Sequence, residues 1–243
     1  LYGQGDGPAT SRTIRLGMRL IPISCDGVTV RDDASYKLAT SLVGTKARLE
    51  LGADPVVAAA RYQPDQIRNS LRPETIRQIE SDRPYIVLAI RYPKLQRIDD
   101  LRDYFLTLSQ AAATICRITD HDIVLFPAHL SDNFTDDRPA LDFLESQLLR
   151  LDIAPERISR CRWHSIEEAA FHLQSAELVF GDRLHALLLA AMNGVPVVGA
   201  VVEDKISGCL NDMLRGYPLG LVVHMERFDL VDFETEFLDL WKA

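Results

Sequence analysis

The sequence predicts an α/β protein built on an open parallel sheet of Rossmann type, and three observations carry that prediction. The continuous apolar run YIVLAIRY (85–92) reads as a strand covered on both faces, and DIVLFPA (122–128) and VPVVGAVV (195–202) read as further strands. Stretches of helical character separate them, so strand and helix alternate. Charged groups gather where the runs end: Arg31, Asp32 and Asp54 early in the chain, then Arg91, His129, Arg183, His185 and Lys205. In such sheets the ligand lies beyond the carboxyl ends of the strands, so these positions share an address.

Taken in order, a glycine-rich loop, GQGDGP (3–8), precedes a helix over 11–24 and a short strand, GVTVRD (27–32). Helix 33–43 and strand ARLELGAD (47–54) follow. Residues 55–83 hold Pro55, Pro64 and Pro73, with Pro84 just beyond, and no strand signal. They predict a connector with a helix near 73–81 whose first turn carries proline. The second half predicts strands at 85–92, 122–128, 157–163, 176–182, 195–202 and 219–223. Helices are expected at 99–118, 137–150, 165–174, 183–193, 204–214 and 226–241. Six strands each followed by a helix make an open parallel sheet. The expected organisation is the C-terminal part of a truncated N-terminal α/β domain (1–62), a connector (63–83) and a C-terminal Rossmann-like domain (84–243). The chain opens with Leu-Tyr-Gly-Gln-Gly rather than Met, as expected if its beginning lies upstream.

With 243 residues, 47% hydrophobic and 26% charged, the chain has material for one large or two modest cores. A net charge of −8 and the lack of a dense Lys/Arg run argue against a nucleic-acid partner. Cys25, Cys116, Cys161 and Cys209 lie far apart and form no C-x-x-C pair. That pattern argues against a zinc knuckle or a disulfide framework and fits a reducing compartment. No apolar stretch reaches bilayer length and no signal peptide is recognisable, so a cytoplasmic setting is expected, with peripheral membrane contact left open.

The segment Gly181-Asp182-Arg183-Leu184-His185 stands where a strand turns into a helix. Such a turn offers unpaired N–H groups and a positive dipole end, an arginine there can grip an anion with two prongs, and a histidine can move a proton near neutral pH. The plainer alternative is that Asp182 caps the helix and Arg183 is solvated. Glu203-Asp204-Lys205 is by itself a charged helix start, but it follows the neighbouring strand and aims Lys205 at the same crevice. In LFPAHLSDNFTDD (125–137), His129 sits on a strand-to-helix loop with Asp132, Asp136 and Asp137 behind it. One of Asp136 and Asp137 is expected to cap the next helix, and a His/Asp pair there can handle protons. Spacing gives metal ligation little support. GQGDGP is neither a dinucleotide fingerprint nor a P-loop.

Taken as an ordered set, these pieces resemble the polysaccharide pyruvyltransferase family. The matching stretches are GQGDGP (3–8), Arg31-Asp32-Asp33-Ala34-Ser35, Asp54-Pro55, Ile90-Arg91, Pro127-Ala128-His129 with Asp136/Asp137, Arg183-Leu184-His185-Ala186-Leu187 and Asp204-Lys205-Ile206-Ser207-Gly208. One departure stands out: the family has a small or uncharged residue before that arginine, whereas Asp182 stands here, placed to neutralise it.

The resemblance implies a two-domain, GT-B-like fold with the site between domains. It implies transfer of a pyruvyl group from phosphoenolpyruvate to two hydroxyls of a glycan or lipid-linked sugar, forming a ketal and releasing phosphate. Phosphoenolpyruvate carries a carboxylate and a phosphate, so Arg183, Lys205, Arg91 and Arg31 are the expected substrate-binding cations. His185 is the expected acid that protonates the methylene carbon, with His129 or Asp136 assisting the acceptor. The scheme requires no metal and no organic cofactor. Two other readings stand beside it: a nucleotide-sugar glycosyltransferase on the same fold, and a non-catalytic homologue that binds glycan or protein.

Overall fold

The computed structural model describes residues 12–20, 25–43, 48–54, 56, 64–79, 83–91, 101–130, 136–201 and 217–242. Eight described strands form two parallel sheets. The first pairs β1 (Val28–Val30) with β2 (Leu49–Leu51), Val28 opposite Leu49 and Val30 opposite Leu51. Helices α1 (Arg12–Leu20) and α2 (Asp33–Val43) accompany it. Asp32 starts α2 by accepting the Ser35 N–H on Oδ1 at 2.7 Å, an N-cap that satisfies one orphan donor of the first turn.

The second sheet has six strands: β3 (Tyr85–Ala89), β4 (Asp122–Leu125), β5 (Ile158–Arg160), β6 (Leu178–Gly181), β7 (Val197–Val201) and β8 (Gly220–His224). Their spatial order is β5-β4-β3-β6-β7-β8, all parallel. Numbered within the sheet this is 3-2-1-4-5-6, the doubly wound order. Every residue of β3, β6 and β7 is buried, which is why those runs are continuously apolar rather than alternating. Period-two geometry sends Ile86, Leu88 and Ile90 into one core, with α5 (Leu101–Thr119), α6 (Arg138–Arg150) and the terminal helix α9 (Leu230–Lys242). Tyr85, Val87 and Ala89 face the other core, under α7 (Ile166–Gln174) and α8 (Leu184–Met192).

Parallel α/β order, expected from the sequence, is what the structure contains, with differences in detail. The connector holds two short helices, α3 (Pro64–Ser70) and α4 (Pro73–Ile79), where one was expected. Each begins on a proline, whose missing N–H costs nothing at that position but blocks continuation from the preceding turn. Ile67 and Ile79 then pack together with Phe171 of α7. The last helix, expected from 226, is split into a 3-10 turn (Met225–Arg227) and α9. Asp229 causes the split by accepting the Val231 and Asp232 N–H groups on Oδ1, at 2.9 and 3.1 Å. The strands are shorter than expected, so Arg31, Asp32, Asp54 and Arg91 lie just beyond strand ends. The helix expected at 204–214, with Lys205, and the GQGDGP loop lie outside the described residues.

The order reverses between β3 and β6, and their carboxyl ends approach closely. Gly181 pairs with Ala89, and a Cβ on Gly181 would stand 2.1 Å from the Ala89 carbonyl oxygen. Backbone meets backbone there, so nothing flexible can give way. Gly181→Ala is expected to destabilise the protein by about 1–3 kcal/mol. Urea denaturation checks this: the midpoint should fall with an unchanged slope.

Candidate functional site

Three clusters of ionisable groups stand on the carboxyl edges of the two sheets, each built around a buried carboxylate. The first occupies the β3/β6 reversal. The Asp182 and Arg183 N–H groups both donate to the Ala89 carbonyl, each at 3.2 Å, which folds the β6–α8 turn over the end of β3. Asp182 is buried beneath that turn. Its Oδ1 accepts the Arg91 N–H at 2.8 Å, and its Oδ2 accepts the Tyr104 hydroxyl at 3.0 Å with Arg91 Nε at 3.5 Å. Burial pushes its carboxyl up to about 6, while the charge and N–H of Arg91, the Tyr104 hydroxyl and Arg183 act in the opposite direction. Asp182 therefore does not cap α8: Arg183 occupies the N-cap position and makes no side-chain cap bond.

The second cluster centres on Arg183, whose charge also acts on Asp182. Asp137 grips that guanidinium: Arg183 Nε donates to Oδ2 at 2.9 Å, and Nη2 donates to Oδ1. The Asp137 carboxylate is fully buried while the Arg183 side chain keeps 23% of its surface exposed. Oδ2 also accepts the His129 N–H at 2.8 Å, so the β4–α6 loop and the β6–α8 turn are fastened together. Burial raises the Asp137 carboxyl, opposed by Arg183 and by the His129 N–H. Asp137 stands at the N-cap of α6 yet makes no side-chain cap bond, because its oxygens are spent on Arg183 and His129. Asp136 takes the local role instead, accepting the Arg138 N–H at 3.0 Å and Nε at 2.7 Å. Those bonds from Arg138 hold its carboxyl below the usual range. The His129 side chain is exposed, and both neighbouring aspartates feel its charge.

The third cluster joins the two sheets. Arg31, just past β1, donates from Nη1 to Asp54 Oδ2 at 2.5 Å, with its Nε 3.7 Å from Asp32 Oδ2. Asp54 Oδ1 accepts the Val56 N–H at 3.0 Å, and Oδ2 lies 3.4 Å from His185 Nε2. Burial pushes the Asp54 carboxyl up, but the Val56 N–H, Arg31 and His185 together outweigh it and hold it below its ordinary value. The structure thus brings Arg31 and His185 together through Asp54, and Arg183 and His129 through Asp137. It sets Arg91 on Asp182; Lys205 lies outside the described residues.

Sequence reasoning placed Asp54 on the charged edge without a specific role, offered Asp137 as a helix cap or a proton-handling partner of His129, and did not single out Tyr104. Asp54 carried a usable signal, since it ends a strand on the same edge as Arg31. Tyr104, on a helix, carried none. Among the described residues, no group of three or more His, Cys, Asp or Glu is arranged to hold a metal ion. Among them, too, no helix is long and apolar enough to cross a membrane.

Arg183 is a structural group as well as a candidate binder. Arg183→Ala should cost about 3 kcal/mol by leaving a buried carboxylate unpaired. His185→Ala, at a largely exposed side chain, should stay within about 1 kcal/mol. Thermal or urea unfolding of the two variants compares them directly. Asp182 makes a pH prediction. The folded protein holds its proton more tightly than the unfolded chain, whose carboxyl titrates near 3.8. Its contribution to stability is therefore full below about 4 and is lost as the pH rises through about 6. Asp182→Asn should remove that fall, visible as a stability curve that loses its downward slope between about pH 4 and 6.

A similar fold occurs in solved nucleotide-sugar enzymes. UDP-GlcNAc 2-epimerase of Methanocaldococcus jannaschii, solved with UDP-GlcNAc and UDP, matches 87% of this chain and 54% of its own, with a TM-score of 0.61 at 11% identity. The S. aureus MnaA–UDP structure matches 92% and 54%, with a TM-score of 0.62 at 11% identity. A UDP-forming trehalose-phosphate synthase of Burkholderia xenovorans matches 96% and 57%, with a TM-score of 0.58 at 13% identity. The chain spans about half the length of these solved proteins. At such identities the likeness concerns fold alone, and it is the α/β, GT-B-like architecture with a parallel sheet. No curated protein matches the sequence. The profile of one family, described as polysaccharide pyruvyl transferase, matches residues 1–204. That match contains the residues of all three clusters, and the chain belongs to the polysaccharide pyruvyl transferase family.

Proposed function

We propose that the full-length protein transfers a pyruvyl group from phosphoenolpyruvate to two hydroxyls of a polysaccharide or lipid-linked sugar, releasing phosphate. The observation that carries this reading is the pairing of an exposed imidazole, His185, with a guanidinium two residues earlier at the start of α8, both on the carboxyl edge of the sheet. In this reading residues 1–62 are the C-terminal part of an N-terminal domain, 63–83 a connector and 84–243 the domain that binds the donor.

Phosphoenolpyruvate is a small trianion, and its recognition needs fixed positive charge. The start of α8 supplies backbone dipoles, and Arg183 and Arg91 stand beside it, with Lys205 as the third proposed cation. Two of these are already neighbours of carboxylates. Asp137 and Asp182 hold Arg183 and Arg91 in place, so they need no reorganisation when an anion arrives. His185 donates a proton to the methylene carbon, whose π electrons form the new C–H bond and leave C2 cationic. An acceptor hydroxyl adds to C2 and loses its proton, returning one to the imidazole. The C2–O bond to phosphate then breaks, and a second hydroxyl closes the ketal, its proton leaving with phosphate. His129 is the proposed helper on the acceptor side. Asp136, held ionised by Arg138, serves there only as a carboxylate that accepts a hydrogen bond or proton.

The likeness to proteins solved with UDP supports one second reading, transfer from a nucleotide sugar. The two separate in one assay. Full-length protein incubated with phosphoenolpyruvate and a panel of glycans should release phosphate, and UDP-sugars should give no product. His185→Ala should lower that release by about 100-fold or more. Product formed from a UDP-sugar alone would replace the pyruvyl reading with the second one.

A further inference from the structure

Asp54 comes from the two-stranded sheet, yet it touches the proposed acid of the six-stranded half. Its Oδ2 stands 3.4 Å from His185 Nε2, and the exposures of the two side chains are opposite: 4% for Asp54 and 62% for His185. The carboxylate is fixed from several sides. The Val56 N–H holds Oδ1, and Arg31 Nη1 holds Oδ2. Arg31 is half-buried beside Asp32, and Asp32 is anchored at the N-terminus of α2. An open, rotatable imidazole thus meets a rigid, buried negative charge. A surface histidine needs no such support. Among the described residues, the ionised groups on this side of the ring are Asp54 and, behind it, Arg31 and Asp32. On the ring's own turn stands Arg183, already paired with Asp137.

We propose that Asp54 is a positioning residue for His185, holding the Nε2 edge of the ring so that Nδ1 is the nitrogen left to meet substrate, and favouring the imidazolium form. Because Asp54 and His185 belong to different halves of the chain, the acid is armed only when those halves are docked. Arg31 then acts through Asp54, as the group that keeps the carboxylate ionised and in place. The assignment of Nδ1 as proton donor to the enol carbon rests on the pyruvyl-transfer reading; the Asp54–His185 coupling does not.

The test uses the full-length protein and Asp54→Asn, which keeps an acceptor of the same size and removes the charge. As an acid, His185 loses activity when it deprotonates. The alkaline limb of kcat/KM for phosphate release should therefore move about one unit to lower pH in the variant, with kcat at pH 8 down about tenfold. KM for phosphoenolpyruvate should change less than about twofold, and Asp54→Glu should restore part of the limb. An unchanged limb in Asp54→Asn overturns the proposal. Ring-nitrogen NMR of His185 reads the coupling without turnover: its titration midpoint should fall in Asp54→Asn, and an unmoved midpoint also overturns it. The wild type alone offers a further check, because above the midpoint its neutral ring must carry the proton on Nε2. A proton on Nδ1 ends the proposal even if no variant folds. Absence of phosphate release from the wild type would instead count against the pyruvyl reading, with the NMR comparison still deciding the pair.

Discussion

The carboxylate of Asp182, sealed beneath the turn between β6 and α8, is the constraint on which the geometry of the edge depends. It binds the backbone and guanidinium of Arg91 at the end of β3 and the hydroxyl of Tyr104 on α5. Together with the bare Cα of Gly181, it decides how closely β6 approaches β3 where the strand order reverses. Arg183 and His185 leave from that turn, so their directions are inherited from it. A carboxyl pushed up to about 6 by burial shows the tension in this arrangement. Desolvation of a charge is tolerated where two neighbouring cations and directed hydrogen bonds return part of the cost.

The same logic repeats at Asp137 and Asp54. Buried ion pairs add little net stability relative to apolar packing, since desolvation consumes most of the Coulombic gain. Their value here is positional. The Nε and Nη2 edge of Arg183 lies flat on Asp137, an orientation that a solvated arginine would sample only part of the time. Exposed pairs behave differently. Arg160 meets Asp142 and Glu145 on the surface, where water and salt screen the attraction. Three protected pairs on the carboxyl edges set the geometry; the exposed ones are a solvated rim.

Much of the fold was legible because its signals are local. Buried parallel strands are runs of Val, Ile, Leu and Ala, and Pro73 marks a helix start by lacking an N–H, whereas the helix that starts at Pro64 was not expected. The edge that gathers Arg31, Arg91, Arg183 and His185 was legible too, since strand polarity orders it. Capping failed at Asp182 and Asp137 for one reason. A side-chain cap is the best local use of an aspartate, but both found stronger partners far away in sequence. Arg183 reaches Asp137 across 46 positions, Tyr104 reaches Asp182 across 78, and the Arg91 N–H reaches it across 91. Asp136, with a partner two residues away, stayed local.

The amino-acid sequence by itself determined the alternation of strand and helix, the parallel sheet and the edge on which the charged groups collect. Those follow from periodicity, turn chemistry and chain direction, which act over a few residues. Only the tertiary structure decided which acid meets which base. That choice depends on where packing excludes water, because a charge that loses its solvent must take whatever opposite charge the folded chain brings within reach. Three aspartates that look alike in one dimension thereby became the anchor of a turn, the clamp of a guanidinium and the support of an imidazole.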